Sequence, residues 1–392
     1  MRDENKLLSV NRFITGLFVS SFIFSIYNRT FSLFGDVRYI VIIFLLFNIF
    51  TIIIDREKKG SWKVSGSFIF LAFLFFSLFL LDQISWLVSD LPKNKAVYTD
   101  VVILYAYHFL AALVFIINRH NMNKSFVINS ILFSSVFLSF SCFYQALIGD
   151  LPFVSENSSP EVFKDNLSIL GVRPGGYSHD PNYTSLLMVF SLYVLSKKDN
   201  GVFGFILTFV FLFTLFISGS KTVLLILAIL IVRYSFIRLK ITLLFNLFSV
   251  LLCSFGLAAI FSLFEQLSTF SQRLTMWKLA IEQFFITPFL GAGITGVRSA
   301  LSLEMRYVQP HNGWLALFVD HGALLGGVIM GIIYYMAITV KDRLTRYLLV
   351  VYIFLSFTNE MWVYPYWILF FVIAPLIMMK PTIHERKYVT KY

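Results

Sequence analysis

The chain has 392 residues, 58% of them hydrophobic and only 14% Asp, Glu, Lys or Arg, with a mean hydropathy of +0.79. A soluble domain carries about 25% charged residues, so a surface this apolar excludes an ordinary soluble protein. The formal charge of +11 would suggest nucleic acid in a soluble chain; here its meaning depends on where the cations fall.

Only Cys142 and Cys253 occur, both in apolar runs, which excludes a disulfide framework. Met1 to Lys6 is polar, and the apolar run Leu7 to Tyr27 ends without a small-residue cleavage pattern, as expected of an uncleaved first span. A bilayer core of about 30 Å takes roughly 20 apolar helical residues. That criterion predicts an all-α polytopic integral membrane protein, 1–392 forming a single membrane domain of about twelve spans. They fall near 8–26, 38–54, 66–88, 100–118, 125–148, 182–196, 201–217, 221–237, 241–264, 312–339, 345–358 and 363–379.

Alternate connections divide the Lys and Arg residues 21 to 11, and cytoplasmic loops carry the excess. Both termini are therefore expected in the cytoplasm. Seven acidic residues fall on that side and 14 on the other, so net charge divides as +14 inside and −3 outside. Topological anchoring and anionic membrane lipids account for the basic excess, leaving no cluster that calls for nucleic acid.

Two outer connections are long, 149–181 and 265–310, and long loops between tightly connected elements are usually functional. Within the second, Ser271 is placed to cap a helix whose Leu274, Trp277, Ile281 and Phe284 recur at helical spacing, with Lys278 and Glu282 as an i,i+4 pair. Pro288 and Gly291 end it. Such a short amphipathic helix lies on the outer membrane surface or covers the bundle.

Gly291-Ala-Gly293-Ile-Thr-Gly296 matches GxGxxG, but no strand or βαβ unit accompanies it, so it reads as a flexible turn. Ser220 beside Lys221 is a poor protease dyad, since adjacent side chains rarely face one another. A lysine at the start of a span nevertheless usually has an anionic partner. HExxH is absent, and nothing calls for a metal or cofactor. His311-Asn312 follows Pro310 where a span begins, and a neutral imidazole there is a candidate base. Topology places Arg173, Lys221 and Arg273 on the same side as His311, on four separate segments. Several cations and one base at one bilayer face suit a lipid carrying a phosphate-rich headgroup. Asp180 or Asp320 could orient the base, although Asp180-Pro-Asn182 reads equally as a turn and helix cap. Tyr307, Trp314, Trp362, Tyr364, Tyr366 and Trp367 read as interfacial aromatics or as platforms for sugar rings. Glu360 is a carboxylate for an acceptor or a solvated group.

At Arg173-Pro-Gly-Gly-Tyr-Ser-His-Asp180-Pro-Asn182-Tyr, Ser218-Gly-Ser-Lys221-Thr, Arg273-Leu-Thr-Met-Trp277 continuing to Pro288-Phe-Leu-Gly-Ala-Gly293, and Pro310-His311-Asn312-Gly, the sequence resembles the O-antigen ligase and Wzy-type polymerase superfamily. Together these stretches cover roughly the second half of the chain; the first five spans carry no signature. The resemblance implies a GT-C-like, metal-independent, inverting glycosyltransferase of the bacterial inner membrane, without a cofactor. It would act at the periplasmic face on undecaprenyl-diphosphate-linked oligosaccharide. His311 would be the general base, and Arg273 with the cation at 221 would hold the donor diphosphate. Arg173 would be a third contact, and Asn312, Asp180, Asn182 and Glu360 acceptor or orienting residues. Many members have Arg where this chain has Lys221, which loses bidentate geometry. The reading favours a repeat-unit polymerase over a ligase that uses the lipid A core, with a chain-length regulator and a flippase as pathway partners. The competitor of another class is a lipid-linked oligosaccharide flippase or transporter, but no six-plus-six repeat is visible and the polar residues gather at one face rather than the midplane.

Overall fold

The computed structural model describes residues 2–33, 37–58, 80, 83–88, 95–118, 122–154, 163–164, 172–198, 201–220, 268–293, 296–297, 301, 311–356 and 366–378. Among these the chain is mostly helical: α1 (Arg2–Tyr27), α2 (Val37–Lys58), α3 (Lys95–Ile117), α4 (Lys124–Ile148), α5 (Pro181–Leu195), α6 (Gly201–Ser218), α7 (Ser268–Ile286), α8 (Gly313–Thr339), α9 (Arg343–Leu355) and α10 (Tyr366–Met378). A two-residue antiparallel pair, β1 (Phe163–Lys164) with β2 (Val172–Arg173), lies in the first long loop. Helices occur at nine of the twelve expected positions. The third span is described only at 80 and 83–88, and the eighth and ninth fall outside the described residues, as do Lys221 and Glu360.

Among the described residues, three helices are long and apolar enough to cross a membrane, α4, α6 and α8; Phe13–Tyr27, Arg38–Phe50, Val102–Ile117, Pro181–Leu195 and Tyr366–Met378 are shorter apolar stretches. This is an all-α architecture consistent with a membrane protein. Local chemistry sets the helix ends. Asn123 accepts from the amides of Ser125 and Phe126 to start α4, and Asp180 with Pro181 starts α5.

α1 and α4 run side by side in the same direction, joined by Ser20 with Ser130 at 2.9 Å and by the Phe24 and Phe137 rings at 5.2 Å. α5 is antiparallel to α4 and carries Ser191, which bonds Ser135 at 2.6 Å and Tyr27 at 2.9 Å. α9 and α10 close on α5 through Tyr193 with Thr345 at 2.7 Å and the Phe190 and Phe370 rings at 5.1 Å. Lipid tails are as apolar as Leu, so close packing and such hydroxyl pairs hold helices together; each pair contributes about 0.6 kcal/mol. Beyond the C-terminal end of α5, Lys197 pairs with Asp342 at 3.2 Å in the turn between α8 and α9, partly exposed and so a minor contribution.

α8 is not continuous. At Gly322 (φ 66, ψ 179) the helix breaks, and the turn after α7 fills the gap. Ala292 N–H donates to Val319 O at 2.9 Å and Gly293 N–H to Asp320 O at 2.8 Å, while Ala323 N–H donates to Pro288 O at 2.8 Å and Leu324 N–H to Phe289 O at 3.2 Å. The Asp320 carboxylate, buried, accepts from Val297 N–H at 2.9 Å. The Gly291 to Gly296 segment, expected as a flexible turn, is thus pinned wherever it is described, because it supplies the polar partners that a broken helix requires.

A Cβ at Gly322 would overlap Phe289 O and Gly291 N, on a backbone that L residues avoid. Gly322→Ala should lower the apparent melting temperature of the detergent-purified protein, with a cost of about 1–3 kcal/mol for the forced conformation alone. Gly331→Ala, where a Cβ meets nothing within 4 Å, should leave it unchanged or raise it slightly. Equal melting temperatures for the two variants would show that the break carries no load.

Candidate active site

The loop from Arg173 to Asp180 is folded tightly against α4 and α5. Gly176 N–H donates to Gln145 Oε1 at 2.7 Å and Tyr177 N–H to Ser141 Oγ at 3.1 Å. Tyr177 O accepts from both the amide (2.9 Å) and the hydroxyl (2.8 Å) of Thr30, and Tyr177 OH reaches Pro152 O at 2.7 Å. Gly176 sits at φ +56 where a Cβ would collide with Ser141 and Cys142. The Ser178 and Thr184 hydroxyls touch, and both donate to Gly175 O. A buried loop held by this many hydrogen bonds presents its charged ends at fixed positions.

One end is Arg173, half-buried, whose Nε donates to Ser218 O at 3.1 Å and whose Nη2 donates to Asn182 Oδ1 at 3.2 Å. The other is Asp180, which caps α5 by accepting from Asn182 N–H at 2.7 Å. Burial pushes the Asp180 carboxyl above its ordinary range, opposed by the Asn182 N–H and by the nearby charges of His179 and Arg173.

Arg273 lies in the second turn of α7, on the face it shares with Met276 and Ala280. That face packs on α8, where Met276, Ala280, Ala316 and Val319 join Val297 and Leu301 in a second small core. Leu274 and Ile281, two residues of the expected apolar stripe, are exposed, and the helix begins at Ser268, before the expected cap at Ser271. The helix therefore packs on α8 with Met276 and Ala280, joined by Phe284 of the expected stripe, while Leu274 and Ile281 of that stripe are exposed. The reason is steric: the small Ala280 permits closer approach to α8 than a row of large side chains. Lys278 and Glu282 form the expected pair at 3.9 Å, on the exposed side.

His311 has φ 50, and the chain turns there into α8. Asn312 Oδ1 accepts from Leu315 N–H at 3.0 Å, and Gly313 N–H donates to Ser356 O at 2.6 Å, tying this helix start to the end of α9. Asn312 is thus a helix cap. Burial first, and then the positive charge of Arg273, bring the His311 imidazole down to about 4. Burial also lowers Arg273, which is supported by the charge of Asp180 and opposed by that of Arg173. Arg173, Asp180, Arg273 and His311 are therefore electrostatic neighbours, brought together from two long loops and the start of α8.

Asp320, considered as an orienting group, accepts from Val297 N–H at the α8 break, and the charge that lowers His311 is that of Arg273. Trp314 and Tyr366 are buried within the bundle, Trp314 donating to Ile353 O at 3.2 Å and Tyr366 stacked on Tyr183 at 4.7 Å, so neither is an interfacial or sugar-stacking surface. Tyr307, Trp362 and Tyr364 lie outside the described residues. The Ser218 carbonyl and Gln145, which fix Arg173 and its loop, were not singled out from sequence; a backbone acceptor has no side-chain signature.

The O-antigen ligase family matches residues 203–330 of the chain, supporting the resemblance to the O-antigen ligase and Wzy-type polymerase superfamily. The matched stretch contains Lys221, Arg273, His311 and Asn312; Arg173, Asp180 and Asn182 precede it and Glu360 follows it. No curated protein and no solved structure matches the chain.

Proposed function

We propose that this chain is a metal-independent, inverting polymerase of lipid-linked polysaccharide repeat units in the bacterial inner membrane. Both termini are cytoplasmic, the two long loops 149–181 and 265–310 are periplasmic, and about twelve spans carry them. The observation that supports this best is the gathering of a half-buried neutral imidazole and two arginines at one end of an all-α bundle, inside and next to the stretch similar to O-antigen ligases.

The chemistry balances with the chain's own groups. His311 takes the proton from a sugar hydroxyl of the incoming repeat unit as that oxygen attacks the anomeric carbon of the growing glycan. The bond from that carbon to the diphosphate breaks, and undecaprenyl diphosphate leaves with the electron pair. Arg273, Arg173 and Lys221 hold the negative charge that builds on it, and fixed cations do so better than reorienting water. The diphosphate of a lipid-linked sugar is already a good leaving group, so the reading requires no metal. Glu360 is proposed as an acceptor contact, and a chain-length regulator and a flippase as partners.

Ligation of finished polymer to the lipid A core is the second reading, since the O-antigen ligase match favours it as much. Deleting the gene in its host and running an envelope glycan gel separates the two. Loss of the ladder with a single repeat unit still on the core is expected for the polymerase. Accumulated free lipid-linked polymer would instead identify a ligase, and an unchanged ladder would contradict both.

A further inference from the structure

The geometry around Arg173 points to a positioning residue: we infer that Asn182, with the Ser218 carbonyl, aims the Arg173 guanidinium at the donor diphosphate. This rests on the diphosphate reading of the site given above. An arginine on a loop samples many rotamers, and bidentate recognition of phosphate requires the planar fork to be held still.

Here two of the five guanidinium donors are tied to acceptors on two different helices. Nε is held by the carbonyl of Ser218 at the end of α6, and Nη2 by Asn182 in the first turn of α5. Each anchor is itself fixed. Ser218 Oγ is bonded to Ser185 Oγ at 2.6 Å and to Leu215 O at 3.0 Å, and Asn182 N–H is bonded to Asp180 at 2.7 Å. Both acceptors are neutral, so they orient the guanidinium without cancelling its charge, and among the described residues no hydrogen bond engages Nη1. A carboxylate at 182 would orient it equally well and neutralise it. That distinction separates aiming from simple packing.

The test uses the full chain in lipid nanodiscs, titrated with sugar-free undecaprenyl diphosphate, each variant first checked for an unchanged melting temperature. Arg173→Ala is expected to weaken binding roughly tenfold through loss of a charge-assisted pair. Asn182→Ala should weaken it several-fold, and Asn182→Asp, which keeps the size and the oxygen, should weaken it at least as much. The double variant Asn182→Ala with Arg173→Ala should bind no worse than Arg173→Ala alone, because Asn182 acts through Arg173. Wild-type binding by Asn182→Asp, or fully additive losses in the double variant, would reduce Asn182 to a packing residue and overturn the inference while the diphosphate site stands. Wild-type binding by Arg173→Ala would remove Arg173 from the diphosphate site and the inference with it.

Discussion

Replacing His311 with Ala is expected to abolish polymer in cells while the protein still accumulates in the membrane. General base catalysis by a positioned histidine contributes about 10²–10⁴ to the rate, and among the described residues the nearby carboxylates already have other partners. Asp180 caps α5, and Asp320 holds the α8 break. Because His311 occupies a left-handed backbone at φ 50, His311→Asn is the companion variant: Asn tolerates that conformation, so its inactivity would report lost chemistry and not lost folding.

The same residue sets the acid limb of the pH profile. With its pKa at about 4, His311 is neutral through the ordinary working range. The limb of kcat/KM, which reports the free enzyme, should lie near 4 and well below the ordinary histidine value of about 6.5. A diphosphate diester has no proton to lose near neutrality, so the substrate does not mask it. An unfolded chain binds a proton at His311 as pH falls through about 6.5 while the folded chain resists until about 4, so folding stability is lost across that interval. Full activity of His311→Ala, or a limb at the ordinary value, would refute the assignment.

Arg273→Lys should retain little activity, with kcat reduced on the order of 10²-fold, the cost of losing one well-placed donor to a developing anion. Lysine keeps the charge but not the fork. The charge that Arg273 exerts on His311 is thus largely preserved, so the acid limb should stay in place while kcat falls. That combination separates lost phosphate geometry from a disturbed base. A near-wild-type Arg273→Lys enzyme would make Arg273 structural, its work being to carry Met276 and Ala280 onto α8.

Apolar length was enough to locate the described helices other than α7, which helical spacing revealed, because burying a backbone among apolar side chains leaves few alternatives to a helix. α4, expected at 125–148, runs Lys124–Ile148, and α5, expected at 182–196, runs Pro181–Leu195. Asp180-Pro-Asn182 was legible as a cap for the same reason, since its chemistry is local. The break at Gly322 was not: a glycine in an apolar run is silent until a partner segment 30 residues earlier is known to fill the gap. Likewise the inward face of α7 turned on a small residue, Ala280, that hydrophobic periodicity undervalues. The cations and the histidine of the site were visible as types on one side of the topology. Their mutual reach, and the anchoring of Arg173 by a backbone carbonyl, depend on tertiary packing that spacing does not encode.

On the proposal made above, this chain joins lipid-linked repeat units with His311 as the base. The most direct test is turnover by the purified full chain in nanodiscs, supplied with one defined undecaprenyl-diphosphate-linked repeat unit in the presence of a metal chelator. The account predicts lengthened lipid-linked glycan, one undecaprenyl diphosphate released per new linkage, inversion at the anomeric carbon, and no product from His311→Ala. Failure of the wild-type chain to elongate that substrate, or equal elongation by His311→Ala, would contradict it.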